Sequence, residues 1–455
     1  NNKMFFGNRA YGLQSAAQIY YGKDVKELSI AQYAMIVGVL KAPSAYNPLA
    51  NLKRAMIRRD WIIGRMYELG HIDRQTYEAA INEPNTASYH GTTLDVQAPY
   101  ISEMARQEVL DRFGDKAYSE GYKVYTSVDS AMQATAQAAV LKGLLGYDQR
   151  HGYRGPERRL KPSTEADLTD WLDELQTISS LGGQEPAAVV KVTEKAVRVL
   201  MGNGELIDLD WDQGLSNVRP YITEDSRGPA YTKATDFLKT GDVIRITKDD
   251  DDQWNFSQVP AIQATLVSLD PMDGAIRSLV GGFDFNQSHY NRATQGMRQP
   301  GSSFKPFLYT AALENGFTPA SIINDAPIVI ENTSTGVAWR PENDDGKFVG
   351  PMRLRQALYR SRNLVSIRLL QDLGINSTLN YIERFGFERK DLPPNLSLAL
   401  GTASLTPMEI AEGWSTFANG GYKVEPYLIE RIEDRNGKQL FNANPAQTPA
   451  GIEQR

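Results

Sequence analysis

The spacing of apolar residues predicts that the first part of the chain is helical. In residues 1–85, apolar side chains recur three and four positions apart, which is the period of one helix face. The clearest such run consists of Leu28, Ala31, Ala34, Met35, Gly38 and Val39. Pro43 follows this run, and proline commonly stands just beyond a helix end. By itself, the pattern describes an ordinary amphipathic core helix.

Residues 89–165 combine helical and strand-like patterns. Helical spacing covers residues 100–113 and 131–145, and the run 123–128 between them predicts a strand. Residues 149–165 are basic and contain glycine and proline. That composition predicts a solvated loop.

Short strands are predicted in the region that ends near Pro260. Asn203-Gly204 separates two of them and predicts a two-residue type I′ hairpin turn. The acidic run 249–252 predicts a solvated turn, because Ca²⁺ loops alternate ligands with spacers and carry a glycine. The predicted strands are residues 187–192, 196–201, 205–211, 242–247 and 254–259.

A further domain is predicted from Ala261 onward. Residues 264–269 and 275–280 flank the turn 271–274, which predicts a hairpin. Helical patterns follow this hairpin. We therefore expect an α/β domain with a mixed sheet.

Residues 299–306 place a serine three positions before a lysine. Proline is tolerated in a helix only in the first turn, so Pro306 predicts that the helix begins near Ser302. Residues three apart share a helix face, and Lys305 is therefore expected beside Ser302. The positive end of the helix dipole favours a neutral amine, and free N–H groups there stabilise an oxyanion. This is the arrangement of a nucleophile with an adjacent base.

A second polar element strengthens this interpretation. Alone, the first spacing also fits a serine N-cap followed by a solvated lysine. Ser361-Arg362-Asn363 precedes an apolar helical run at 364–373. Its hydroxyl and amide could relay a proton and hold a substrate amide in the same pocket. The alternative is a polar turn that caps the next helix.

Together, these elements resemble the motifs of class A penicillin-binding proteins of Gram-negative bacteria. Residues 292–307 resemble the active-site signature, and residues 361–368 resemble the second motif. Residues 400–407 and 417–421 resemble the next sequence motif of the family. The closing part of the family's peptidoglycan glycosyltransferase domain is resembled by residues 1–12, 16–23, 42–48 and 58–61.

The resemblance implies a multidomain α+β protein with four parts. They are the C-terminal part of a helical glycosyltransferase domain (1–88), a linker (89–148), a small all-β OB-like insert with the basic loop (149–260), and an incomplete α/β transpeptidase domain (261–455). The glycosyltransferase acid/base glutamate and the transpeptidase Lys-Thr-Gly element are expected outside this sequence, which looks truncated at both ends. The string Lys239-Thr240-Gly241 precedes the serine, and we expect it to be a turn that enters a strand.

The resemblance also implies a role for each site residue in a D,D-transpeptidase. Ser302 would attack the D-Ala–D-Ala carbonyl, and Lys305 would take its proton. Ser361 would relay a proton to the leaving D-alanine, while Asn363 would hold the substrate amide and Lys305. β-Lactams would acylate the same serine. Two alternatives stay open: a serine β-lactamase or D,D-carboxypeptidase, and a non-catalytic β-lactam sensor or assembly scaffold.

The implied partners are peptidoglycan stem peptides, lipid II and cell-wall assembly proteins. The implied location is the periplasmic face of the inner membrane, with a single N-terminal anchor outside this sequence. Transpeptidation implies no cofactor, and the metal requirement of the missing glycosyltransferase site is left open.

The composition argues against several other classes of function. The 455 residues carry a net charge of −6, and no basic stripe suggests nucleic acid. There is no cysteine, which excludes disulfides and thiol catalysis. The four histidines are scattered, which disfavours a metal cluster or a Ser-His-Asp triad. The sequence has no apolar run of the length that a membrane span requires.

Overall fold

The structure is a computed structural model, and it describes residues 4–8, 10–43, 45–90, 94–161, 168–331 and 338–445. Parts of the motifs and segments named above lie outside these residues. They are residues 1–3, Arg9, Ser44, residues 91–93, residues 162–167 with the end of the basic loop, residues 332–337, and residues 446–455.

The described residues form α-helices, short 3₁₀ turns and strands. In chain order the α-helices are α1 (Leu13–Tyr21), α2 (Ile30–Val39), α3 (Leu52–Glu68), α4 (Arg74–Asn82), α5 (Pro99–Phe113), α6 (Ser130–His151), α7 (Thr169–Leu175), α8 (Lys305–Glu314), α9 (Leu354–Tyr359), α10 (Asn363–Leu373), α11 (Ile375–Ile382) and α12 (Pro407–Ala418). The strands are β1 (Lys123–Thr126), β2 (Arg158–Arg159), β3 (Gln184–Val192), β4 (Ala196–Met201), β5 (Leu206–Asp210), β6 (Tyr221–Thr223), β7 (Ser226–Arg227), β8 (Asp242–Lys248), β9 (Trp254–Ser257), β10 (Leu266–Leu269), β11 (Ile276–Val280), β12 (Ile322–Asp325), β13 (Ile330–Glu331), β14 (Ala338–Trp339), β15 (Gly350–Arg353), β16 (Ile429–Glu433) and β17 (Gln439–Asn442).

The chain folds into two compact units. The first unit takes its residues from 1–95 and 147–259, and the second takes its residues from 96–146 and 260–455. Within the part of the chain that the structure describes, no helix combines the length and apolar character needed to cross a membrane.

Helices α2, α3 and α4 of the first unit begin with side-chain caps and pack through small side chains. The Ser29 side chain accepts from the Gln32 N–H, and the Gln32 side chain accepts from the Ser29 N–H. This reciprocal capping box satisfies two N–H groups at the start of α2. The alanines of α2 allow α3 and α4 to approach closely. The buried residues at this contact are Ala31, Ala34, Ile63 and Ala80.

The sheet of the first unit has the antiparallel order β2-β8-β3-β4-β5, with β9 also paired to β8. Successive side chains of a strand point to opposite faces. Ala187 and Val189 therefore enter one core cluster, and Ala188 and Val190 enter a second cluster that includes Trp171 of α7. Since α7 covers one face, β3 is buried on both sides and lacks the simple alternation of a half-exposed strand.

Two details of this region differ from the sequence prediction. The type I′ turn is wrong: Gly204 has a φ of 86° but Asn203 does not have a positive φ, which type I′ requires at both positions. Instead, Met201 N donates to Glu205 O, which closes a three-residue loop. The basic segment is not wholly a loop either, because α6 extends to His151 and β2 pairs with β8.

The second unit joins distant parts of the chain. Strand β1 pairs with β16, which also pairs with β17, and the predicted hairpin is formed by β10 and β11. Its described strand pairs are antiparallel, and the expected mixed character is reduced to an isolated parallel bridge between Ala275 and Tyr427. Helices α8 and α10 lie in the main core of this unit. Phe304, Phe307, Leu364 and Ile367 are among its buried residues.

Candidate active site

Ser302 lies in a 3₁₀ turn that leads directly into a buried helix. The turn spans Gly301–Phe304, and α8 begins at Lys305 with Pro306 in its first turn, as the sequence predicts. Ser302 is exposed, whereas Lys305 is only 1% exposed. A solvated lysine beside a capping serine is therefore excluded.

The segment that follows the second motif holds this turn in place. Gly301 N donates to Gly401 O at 3.1 Å, and Arg298 and Leu405 exchange backbone hydrogen bonds of 2.9 and 3.1 Å. Gly401 has a φ of 72°, and a Cβ there would lie 2.0 Å from Gly301 O. Only glycine fits such an approach. The motif at residues 400–407 therefore holds the turn that carries Ser302 through backbone hydrogen bonds.

A hydrogen-bond chain connects Lys305 to Ser302 through Ser361. Lys305 Nζ donates to Ser361 Oγ at 3.0 Å, and Ser361 Oγ donates to Ser302 Oγ at 2.9 Å. Lys305 Nζ also donates to Ser361 O at 2.8 Å and to Asn363 Oδ1 at 2.7 Å. The four residues singled out from the sequence are thus brought together in one cluster.

The environment of Lys305 favours the neutral amine. Burial lowers the pKa of Lys305 from 10.5 to about 8, because the charged form loses its hydration. The three donors of an ammonium have acceptors in Ser361 and Asn363, so the protonated form is satisfied as well. Both protonation states are accessible near neutral pH, as a general base requires.

The turn that carries Ser361 is conformationally strained. Ser361 has a φ of 53°, in the left-handed region. That region costs an L residue other than glycine roughly 1–2 kcal/mol. Asn363 is the first residue of α10, and its Nδ2 donates to Glu342 O at 2.9 Å. The turn therefore aims its hydroxyl and its amide oxygen at Lys305.

Sequence reasoning missed the residues that hold this turn. Arg362 Nε donates to Asp325 Oδ2 at 2.9 Å, and Asn343 Oδ1 accepts from Asn363 N at 2.9 Å. Asp325, Asn343 and Arg362 are all buried. Arg362 lies inside the second motif but was given no role, and Asp325 and Asn343 lie outside the motifs found in the sequence. The one available signal was the polar run at residues 342–345.

The Lys-Thr-Gly string of this sequence does not belong to the unit that holds the Ser302 cluster. Lys239-Thr240-Gly241 belongs to the first unit, and Gly241 has a φ of 90° just before β8 begins at Asp242. It is a turn entering a strand, as expected. Among the described residues, no group of three or more histidine, aspartate or glutamate side chains is placed to hold a metal ion.

Comparison with known sequences identifies the domains. Residues 264–450 match the penicillin binding protein transpeptidase domain, residues 153–262 match the penicillin-binding protein OB-like domain, and residues 1–67 match the transglycosylase family. Penicillin-binding protein 1A of Pseudomonas aeruginosa is 55% identical over 98% of this chain and 54% of its own length. The chain belongs to the class A penicillin-binding proteins.

Other members agree with this assignment. Penicillin-binding protein 1A of Escherichia coli is 42% identical over 98% of this chain and 52% of its own length. The crystal structure of penicillin-binding protein 1A from Haemophilus influenzae is 41% identical and superposes with a TM-score of 0.81, covering 98% of this chain and 64% of that one. The multidomain fold expected from the resemblance is thereby confirmed. The chain spans about half the length of the curated relatives it matches.

Proposed function

We propose that the protein containing this chain is a D,D-transpeptidase of peptidoglycan synthesis that works through a serine acyl-enzyme. The observation that carries this proposal is the chain of hydrogen bonds from the buried Lys305 amine through Ser361 Oγ to the exposed Ser302 Oγ. Membership of the penicillin-binding proteins supports the substrate class, which is a D-Ala–D-Ala stem peptide.

In the first step, Ser302 Oγ bonds to the carbonyl carbon of the terminal peptide bond. The Ser302 proton passes to Ser361 Oγ while the Ser361 proton passes to neutral Lys305 Nζ, since the Ser361 hydroxyl lies between them. Collapse of the tetrahedral intermediate breaks the C–N bond. The proton held by Lys305 returns along the same chain to the amine of the departing D-alanine.

In the second step, the amine of a neighbouring stem peptide attacks the Ser302 ester. The amine gives up a proton to the same hydrogen-bond chain, which returns it to Ser302 Oγ as the C–O bond to Ser302 breaks. A new peptide bond then joins the two stems. The N–H groups in the first turn of a helix have no intrahelical acceptor, so the turn at Ser302 can supply an oxyanion donor. A substrate contact at Asn363 would replace the bond between its Nδ2 and Glu342 O.

The whole protein is proposed to polymerise glycan from lipid II in addition to cross-linking it. The match of residues 1–67 to the transglycosylase family supports this second activity. We place the protein in the inner membrane, with its catalytic domains in the periplasm and cell-wall assembly proteins as partners. β-Lactams resemble the D-Ala–D-Ala substrate and would acylate Ser302.

Labelling with fluorescent penicillin tests the assignment of the nucleophile. In the full-length protein, Ser302→Ala should abolish covalent labelling and leave glycan polymerisation intact. Ser303→Ala is the matched control, because the Ser303 hydroxyl already donates to Pro300 O at 2.6 Å. Retained labelling of Ser302→Ala would exclude Ser302.

Two measurements, the lifetime of the penicilloyl adduct and the joining of stem peptides, separate the proposed function from a β-lactamase and from a non-catalytic sensor. A transpeptidase should hold the adduct for many minutes, whereas a serine β-lactamase should release it within seconds. A non-catalytic sensor should bind penicillin yet fail to join stem peptides.

A further inference from the structure

We propose that Asp325 is a positioning residue for acyl transfer, because it holds both ends of the Ser361-Arg362-Asn363 turn that connects Lys305 to Ser302. This inference rests on the proposed function, since it concerns the same nucleophile. Asp325 acts through other residues: its carboxylate contacts the supports of the turn and not Ser302 or Lys305 themselves.

Asp325 is a buried carboxylate whose acceptors are engaged by three donors. It is the last residue of β12 and is 0% exposed. Its Oδ2 accepts from Arg362 Nε at 2.9 Å and from Val349 N at 3.2 Å, and its Oδ1 accepts from Asn343 Nδ2 at 2.8 Å. A buried charge is costly unless it is paired and hydrogen-bonded in this way.

Through Arg362, Asp325 fixes the Ser361 end of the turn. Arg362 is 6% exposed, and its guanidinium also donates to both carboxylate oxygens of Asp345, at 3.0 and 2.9 Å, and to Lys347 O at 2.9 Å. The planar guanidinium presents its donors in a fixed fork, and these bonds anchor the Arg362 side chain to three other residues. A residue with positive φ persists only where its surroundings determine its conformation, and Arg362 directly follows Ser361.

Through Asn343, Asp325 fixes the Asn363 end of the turn. Arg362, the N-cap residue of α10, makes no side-chain cap. Asn343 supplies the cap from another segment, since its Oδ1 accepts from Asn363 N at 2.9 Å and from Leu364 N at 3.4 Å. The Asn343 amide is oriented by its bonds to Asp325 Oδ1 and Lys347 O.

The two ends fixed by Asp325 carry the acceptors of Lys305. These acceptors are Ser361 O, Ser361 Oγ and Asn363 Oδ1, at 2.7 to 3.0 Å from Lys305 Nζ. A displacement of this turn therefore moves the relay hydroxyl away from Ser302. A misplacement of about 1 Å can reduce a reaction rate by roughly 100-fold.

The experiment compares Asp325→Asn with Asp242→Asn in the full-length protein. Asp242 is also 0% exposed and is paired with Arg159, but it belongs to the first unit. Acylation by fluorescent penicillin is measured per folded molecule across pH 6.5–9.5. Wild-type protein is measured first, and the absence of a Ser302 adduct there would overturn the proposed function rather than this inference.

We expect Asp325→Asn to slow acylation by about 10- to 100-fold. We also expect the midpoint of its pH profile to move to higher pH, because a loosened turn admits water to Lys305. Asp242→Asn should lower the melting temperature but keep the wild-type midpoint and a rate within about twofold of wild type. If Asp325→Asn also keeps the wild-type rate and midpoint, Asp325 contributes only to stability and the inference is wrong.

A second variant carries the test if Asp325→Asn does not fold. Asn343→Ala removes the bond between Asp325 and the Asn363 end but leaves the Asp325–Arg362 pair intact. It should slow acylation by about tenfold and shift the midpoint in the same direction. Wild-type kinetics in a folded Asn343→Ala protein would contradict the proposed route from Asp325 to Lys305.

Discussion

The rate of acylation by penicillin should depend on pH through Lys305. With a pKa of about 8, Lys305 is neutral in about 9% of molecules at pH 7 and about 91% at pH 9. If the neutral amine is the base, the rate should rise about tenfold over this range and then level off. An exposed lysine would instead give a rise of roughly 100-fold without a plateau.

Single-turnover labelling with fluorescent penicillin, quenched at short times, measures this profile in the full-length protein. Lys305→Arg is the control, since guanidinium stays protonated and should give a flat profile at a rate lower by about 10² or more. A flat wild-type profile would remove Lys305 as the base. A steady rise without levelling would show that burial does not lower its pKa.

The same pKa shift makes a prediction about stability. The pKa of Lys305 is lower in the folded state than the ordinary 10.5. Between pH 8 and 10.5 the folded protein therefore binds fewer protons than the unfolded chain does. Burial of the charged Lys305 amine lowers the free energy of unfolding in full below pH 8. This loss is relieved as the pH rises to 10.5, by about 3 kcal/mol at most. The free energy of unfolding, measured with denaturant at a series of pH values, should rise more steeply between pH 8 and 10.5 in wild type than in Lys305→Met. An equal dependence on pH in the two proteins would contradict this prediction.

Three further substitutions test other parts of the site. Ser361→Gly should slow acylation by about 10² while raising the melting temperature, because it removes the relay hydroxyl and the strain of a positive φ; a fast Ser361→Gly protein would exclude the relay. Gly401→Ala should lower both melting temperature and acylation, since its Cβ would lie 2.0 Å from Gly301 O, whereas Gly316→Ala has open space and should cost only backbone strain of about 1 kcal/mol. Equal effects of the two would refute the contact. Lys239→Arg should change the rate of acylation by less than about twofold. A larger loss would show that the active site is assigned to the wrong residues.

Local rules were sufficient to predict the start of the Ser302 helix. Pro306 restricts where a helix can begin, and that restriction depends only on neighbouring residues. The three-residue spacing then brings Lys305 close to Ser302 in the folded protein. The meeting with Ser361, 56 positions from Lys305, came from family resemblance, because no local rule predicts so distant a contact.

The supports of the site were not predictable in this way. Asp325 and Arg362 lie 37 positions apart, and Asn343 reaches Asn363 across 20 positions. Such pairs depend on how β12 packs beside α10, which a single sequence does not reveal. The wrong type I′ turn has a local cause: Asn203-Gly204 also fits a three-residue loop in which only the glycine needs a positive φ.

The pairing of β1 with β16 has a consequence for synthesis on the ribosome. Ser127 and Leu428 are 301 positions apart, and Ser127 N donates to Leu428 O at 2.8 Å. At translation rates of roughly 5–20 residues per second, β1 waits on the order of 15–60 s for its partner strand. During that time its hydrogen-bonding edge is unpaired and open to association with other nascent chains. A holding chaperone that shields residues 123–127 would therefore raise the yield of folded protein.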